Sequence, residues 1–168
     1  MIKTKLGIFF LMLGLFSNLS TSYADDARIP LFTATSDAFD GSLAISLTVD
    51  QNSNATGFAY TSDKKDTVLP LANLSQGITL YQTEGENVVV LSSKTFDATS
   101  GGPLTLTYLH DGISDIYKTF DFALGRSGQN WTPYVANQNG IPQSFITMYL
   151  TAKKVFGKVI GIDTITVK

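Results

Sequence analysis

Cysteine is absent from this 168-residue chain, histidine and tryptophan each occur once, and charged residues make up only 15% of it. The lack of cysteine excludes disulfide bonds, thiol catalysis and thiolate metal sites. Acidic residues outnumber basic ones, fourteen to twelve. An acidic chain without a basic cluster argues against nucleic acid or an anionic membrane as its partner. The pattern of apolar and turn residues is therefore the main indication of function in this sequence.

Residues 1–24 have the pattern of a signal peptide. Lys3 and Lys5 form a positive n-region, 6–16 is apolar, and 22–24 reads Ser-Tyr-Ala, a small-x-small cleavage pattern. Eleven apolar residues are too few to cross a bilayer, which takes roughly 20. We therefore expect an exported protein that begins at Asp25, with a net charge near −4 because ten basic residues then face fourteen acidic ones.

The segment 39–49 alternates apolar or small residues with polar ones. Its predicted buried face consists of Phe39, Gly41, Leu43, Ile45, Leu47 and Val49. A period of two predicts an extended strand with one buried face. Gly41 is unusual there, since glycine weakens a strand unless another group must approach closely. The strand is thus a candidate for burial in something other than its own subunit.

The remaining chain reads as short strands separated by turn residues. Thr105 alternates with Leu104 and Leu106, and Phe120, Phe122 and Leu124 share a face. We expect 125–140, rich in glycine and asparagine, to be a loop. Threonine- and aromatic-rich strands of this length predict an all-β sandwich, with 25–48 as an N-terminal extension and 49–168 as the sandwich domain.

Both ends of the mature chain resemble subunits of chaperone–usher fimbriae. That family opens with a Phe-x-Gly-x-aliphatic strand, matched by residues 39–43, and closes with an alternating strand after a Tyr and a Gly, matched by 145–150, Gly157 and 163–167. The closing face consists of Gly157, Val159, Gly161, Asp163, Ile165 and Val167. Asp163 interrupts it, and an unpaired buried carboxylate would be costly. The family's usual cysteine is absent, as in its cysteine-free branches.

The resemblance implies an immunoglobulin-like β-sandwich that lacks one strand and is completed by strand donation. The donor residues would be Phe39, Gly41, Leu43, Ile45 and Leu47, with Gly41 at the shallowest pocket. The acceptor and chaperone-binding strand would carry Gly157, Val159, Gly161, Ile165 and Val167. Implied partners are identical or related fimbrial subunits, a periplasmic chaperone, an outer-membrane usher and a host receptor. The protein would pass through the periplasm to the cell surface.

Enzymatic function has little support in the sequence. His110 is the only histidine, and it stands in a predicted turn without a nucleophile-elbow motif, so a solvated loop residue is the better interpretation. Acid pairs such as Glu84 and Glu86 lack the spacing of a calcium loop, and turn formation explains them better. The sequence therefore predicts no enzyme, no metal and no cofactor.

The alternative function is a self-contained, secreted β-sandwich that binds a carbohydrate or a host-surface ligand. Exposed aromatic rings commonly mark contact sites, and Trp131 and Tyr134 lie in the predicted loop 125–140. Most such rings fill a core or brace a loop instead. Whether 39–47 packs into its own sandwich or projects from it separates the two hypotheses.

Overall fold

The computed structural model describes residues 26–39, 41–63 and 65–168, so the predicted signal peptide lies outside the described residues. Twelve strands and one 3₁₀ helix (Leu71–Gln76) occur in this part of the chain. The strands are β1 (Ala27–Ser36), β2 (Ser42–Val49), β3 (Ala55–Ser62), β4 (Lys65–Pro70), β5 (Ile78–Thr83), β6 (Glu86–Ser92), β7 (Gly101–Asp111), β8 (Ile116–Ser127), β9 (Asn130–Ala136), β10 (Pro142–Ser144), β11 (Thr147–Val155) and β12 (Lys158–Val167).

The strands form two six-stranded sheets that enclose one apolar core, which confirms the predicted all-β sandwich. Sheet A has the order β12-β11-β1-β2-β3-β4, and sheet B the order β10-β9-β8-β7-β6-β5. All neighbours are antiparallel except β1 and β11, which pair in parallel. Among the described residues, no helix is both long enough and apolar enough to span a bilayer.

The core is built from the inward faces of both sheets. In sheet B, Leu104, Leu106 and Leu124 are almost completely buried, as their period-two spacing predicts. The rings of Phe32 in sheet A and Phe122 in sheet B meet edge to face, with centroids 5.8 Å apart. Each fully buried aliphatic or aromatic side chain contributes up to roughly 1.5–3 kcal/mol to the free energy of unfolding. The core therefore depends on contacts between the sheets.

The predicted donor strand lies inside sheet A of its own chain. β2 pairs with β1 along one edge and with β3 along the other. Its side chains Leu43, Ile45 and Leu47 are buried at 7%, 2% and 0% exposure. The predicted domain boundary after residue 48 falls within β2. The described part of 25–48 is consequently integral to the sandwich and does not extend from it.

Gly41 does not lie inside the strand, contrary to the sequence-based prediction. It occupies the turn before β2 with φ at +90°, a conformation that L side chains rarely adopt. A Cβ built there would meet only the Asp63 carboxylate, at 3.4 Å. The backbone conformation of the turn is therefore a sufficient reason for glycine at this position, and the shallow pocket in a neighbouring subunit stays a prediction.

A β-bulge removes the problem posed by Asp163. The pairing of β12 with β11 shifts register near Thr151 and Ala152. Ile165 therefore faces the core, whereas farther back along β12 it is Ile162 that is buried, at 0% exposure. Asp163 falls between them and is exposed. This bulge, together with a second register shift farther back along the same pair of strands, divides the single face predicted for the closing strand.

Asp97 organises the loop that leads into β7. One of its carboxylate oxygens accepts hydrogen bonds from the hydroxyl and backbone N–H groups of Thr99 and Ser100. The Thr99 hydroxyl, followed by these other donors, lowers the pKa of Asp97 from 3.8 to about 2. The charged carboxylate is thereby favoured in the folded state.

Acid should weaken this loop over a defined pH range. Because the pKa of Asp97 is lower in the folded chain, the unfolded chain takes up a proton first as the pH falls. The stabilisation that the charged carboxylate provides is therefore present above pH 3.8 and is lost as the pH falls towards about 2. We expect Asp97→Asn to lose stability at neutral pH and to show a shallower decline in acid. Urea unfolding of both proteins between about pH 5 and pH 2 measures this difference. Parallel pH curves for the two proteins would contradict the assignment.

Candidate functional site

A cavity of about 380 Å³ opens at one end of the sandwich. Four separate segments form it, and we call it the end pocket. The lining residues are Ala38 and Phe39 from the β1–β2 turn, Tyr81, Thr83, Glu84, Glu86 and Val88 from the β5–β6 hairpin, Leu109, Gly112 and Ile113 from the end of β7 and the following turn, and 159–162 from β12. The end pocket is therefore assembled from residues distant in sequence.

The interior of the end pocket is apolar, and apolar side chains also lie at its mouth. Leu109 and Ile162 are buried in its wall. Ile113 and Val159 line the same pocket and leave 70% and 44% of their surface exposed. Phe156, three residues before Val159 at the tip of the β11–β12 hairpin, is fully exposed. Apolar side chains left in solvent beside a cavity are typical of a contact site.

A tight hairpin turn places two carboxylates at the end pocket. Glu84 and Gly85 connect β5 to β6 with φ values of 50° and 87°, as two-residue hairpin turns with positive φ at both positions require. Glu84 and Glu86 both line the pocket and are exposed. Neither side chain has a hydrogen-bond or ion-pair partner among the described residues. The mouth therefore carries negative charge that the described part of the chain does not neutralise.

The back wall of the end pocket is a seam where β7 meets β12. The Gly112 N–H donates to the Ile160 carbonyl at 2.7 Å, and His110 Nδ1 donates to the Ile162 carbonyl at 2.8 Å. A Cβ at Gly161 would lie 2.5 Å from the His110 carbonyl oxygen, so only glycine permits this approach. Lys153 Nζ and Asp111 Oδ2 form an ion pair at 3.0 Å beside the seam. The wall is consequently held by backbone contacts between the two sheets.

An aromatic stack separates the end pocket from a second cavity. The rings of Phe39 and Tyr81 stack with centroids 4.0 Å apart and an angle of 26° between their planes. The cavity beyond them has about 360 Å³ and a more polar lining that includes Ser62, Lys65 and Gln82. Because the two rings face each other, each has only one face left for any other contact.

The structure distributes the five predicted donor residues over three roles. Leu43, Ile45 and Leu47 belong to the core of their own chain, whereas Phe39 stacks on Tyr81 and Gly41 shapes the turn. No side chain of this set needs a groove in another subunit for its burial. Exchange of the strand between subunits stays a prediction.

The predicted acceptor residues are also divided. Gly157 lies in the β11–β12 turn with φ at +77°, Val159 lies at the mouth of the end pocket, and Gly161 lies at the β7–β12 seam. Ile165 and Val167 are half-buried against the core. In sheet A, β1 and β11 separate this strand from β2. The predicted donor and acceptor strands are therefore not neighbours within the chain.

Trp131 is a buried structural residue and not the exposed contact that we expected. The predicted loop 125–140 is largely the β8–β9 hairpin, in which Trp131 is 5% exposed. Its Nε1–H donates to the Ser53 carbonyl at 3.0 Å, and the Arg126 guanidinium lies 5.7 Å from its ring centroid. Tyr134 is half-buried and packs beside Gly125. Since the β2–β3 turn carries Ser53, this cluster lies at the opposite end of β2 from the end pocket.

The sequence contained one signal for the end pocket that residue-type reasoning missed. Ile113 and Phe156 are apolar residues in tight turns, where polar residues are more common. The Glu84 and Glu86 pair was interpreted as part of a turn, which is correct for Glu84, while Glu86 begins β6.

No group of three or more His, Cys, Asp or Glu side chains suited to a metal ion occurs within the described ranges.

Comparison of the chain with protein-family models, with curated proteins and with solved structures finds no match.

Proposed function

We propose that this protein is an exported, self-contained β-sandwich that binds a ligand or a partner's side chain through the end pocket. The observation that carries the proposal is the position of β2, which has paired edges on both sides and supplies core residues to its own chain. A chain whose own strands flank β2 on both sides needs no second subunit to bury that strand. An open cavity with an apolar mouth then supports a binding role.

The mature protein should accordingly be monomeric and should fold without a chaperone. We expect protein that starts at Asp25 to sediment as a monomer and to unfold in one cooperative, reversible transition. A variant that lacks residues 25–47 should fail to fold even with a chaperone present, because it loses β1 and most of β2. Analytical ultracentrifugation and urea unfolding measure these properties. Spontaneous polymers, or a truncated protein that a chaperone keeps folded, would contradict the proposal.

The second candidate function is a structural subunit of a surface fimbria assembled by strand exchange. One observation favours it: β1 borders β11 through only four register pairs, from Thr33–Thr147 to Ser36–Leu150. This is the shortest pairing in sheet A, so the segment that holds β1 and the predicted donor strand β2 is the part that a second copy would most easily replace. Its partners would be further subunits, a periplasmic chaperone, an outer-membrane usher and a host receptor. The polymers named above are the result that would favour it.

A further inference from the structure

We propose that the end pocket binds a cationic group, an ammonium or a guanidinium, carried on a short apolar stem. This rests on the proposed function and names the ligand chemistry of the same site. A cavity of about 380 Å³ lies near the lower end of the range for small-molecule sites, about 300–1,000 Å³. It therefore takes a compact ligand or a single long side chain.

The apolar wall of the pocket favours a ligand whose stem is an apolar chain or ring. Leu109 and Ile162 form the interior, and Ile113 and Val159 continue the apolar surface to the mouth. A chain of methylene groups or a small ring seated there would remove this surface from water, and transfer of apolar surface out of water is favourable. Every polar side chain of the lining comes from the β5–β6 hairpin, so the remaining wall is apolar.

The two carboxylates at the mouth favour a ligand with a positive charge. Glu84 and Glu86 line the mouth without partners among the described residues, while Lys153 is paired with Asp111 and Lys154 with Asp37. A cation at the mouth would gain a charge-assisted hydrogen bond with each carboxylate that it reaches. An anion would meet repulsion from both. A ligand with one positive end and an apolar body therefore matches both parts of the pocket.

Two other ligand classes fit less well. Calcium takes six to eight oxygen ligands, whereas the end pocket offers two carboxylates beside an apolar wall. Sugars bind on open aromatic faces, but Phe39 is buried, Tyr81 is half-buried and the two rings stack on each other. The cation itself could belong to a free amine or to a lysine or arginine side chain of a partner protein. The chemistry is the same in both cases, and the experiment must separate them.

The test is a methyl-NMR titration of the mature protein at about pH 7 with three probes. Hexylamine carries the cation, 1-hexanol is its neutral match, and a blocked lysine peptide presents the same group on a chain. We expect hexylamine to shift the methyl signals of Ile113, Val159 and Leu109 in a saturable way. Its affinity should exceed that of 1-hexanol by at least about tenfold, which corresponds to about 1.4 kcal/mol. Tighter binding of the peptide than of hexylamine would identify a partner side chain as the source, and the reverse would identify a free amine.

Matched variants locate the charge. The double variant Glu84→Gln/Glu86→Gln should lower hexylamine affinity at least about tenfold and leave 1-hexanol binding unchanged. Asp115→Asn is the control, since it removes an exposed carboxylate outside the pocket lining at a positive-φ residue that asparagine tolerates. Equal binding of amine and alcohol would overturn the charge inference but leave the pocket as a binding site. Failure of all three probes would overturn the end pocket as the proposed function's binding site, even if the monomer folds alone.

Discussion

Replacement of Leu47 by aspartate is expected to prevent the protein from folding. Leu47 is 0% exposed and stands in β2, between β1 and β3. The substitution removes a packed aliphatic side chain and puts a carboxylate where no water reaches it. Together these effects cost more than about 5 kcal/mol, which is comparable with the whole stability of a typical domain. The expected observation is loss of the cooperative unfolding transition and of the folded circular dichroism spectrum.

Ala44→Asp is the matched control for this change. Ala44 lies in the same strand, three residues earlier, but on the solvent-facing side. The same charge there should change the free energy of unfolding by no more than about 1 kcal/mol. If Leu47→Asp instead folded with a chaperone and lost only the ability to polymerise, the strand would serve a neighbouring subunit. That outcome would favour the fimbrial hypothesis over the self-contained module.

The sequence predicted which face of a strand is buried, because that property is local. Leu43, Ile45 and Leu47 alternate with polar residues, and a strand turns successive side chains to opposite faces. The same reasoning correctly grouped Leu104 with Leu106. The pattern extends through Gly41, however, and alternation alone cannot tell a glycine in a strand from one in the preceding turn. The positive φ of Gly41 becomes visible only in three dimensions.

The neighbours of each strand could not be predicted, because pairing in a sheet is non-local. β1 lies between β2, which follows it directly, and β11, more than 100 residues further along the chain. Nothing in the alternation of either strand specifies that parallel pairing. The burial of Trp131 has the same origin, since its indole N–H donates to the carbonyl of Ser53, 78 residues away, and its ring stacks on Phe96. A residue in a glycine-rich stretch was therefore interpreted as exposed.

The end pocket could not be predicted from the sequence either, because it too depends on non-local contacts. Its wall joins Phe39, Tyr81, Leu109 and Val159, which come from four separate parts of the chain. The bulge in β12 adds a second difficulty, since one inserted residue changes which side chains face inward. The Glu84–Gly85 turn could be predicted from the sequence because its residue types favour a hairpin. Its position over a cavity depends on how the two sheets meet.

Replacement of Gly101 by alanine is the second change expected to have a large effect. Gly101 begins β7 with φ at +93°, and it exchanges two backbone hydrogen bonds of 2.8 Å with Asp97. A Cβ at this position would lie far inside the contact distance of the Leu124 carbonyl oxygen, at 1.9 Å, and 3.2 Å from the Trp131 ring. Because the obstacle is backbone of the adjacent strand β8, no side-chain rotation can relieve it.

Two costs therefore add at Gly101, and a second glycine separates them. Left-handed backbone conformation costs alanine about 1–2 kcal/mol, and displacement of β8 should raise the total to about 4 kcal/mol or more. Gly85 has a similar φ of +87° with no atom within 4 Å of its Cβ position, so Gly85→Ala should show the conformational cost alone. Urea unfolding of both variants measures the difference. Equal losses of stability would mean that β8 moves aside freely. A larger loss for Gly101→Ala than for Gly85→Ala would show that the backbone of β8 cannot move away from β7.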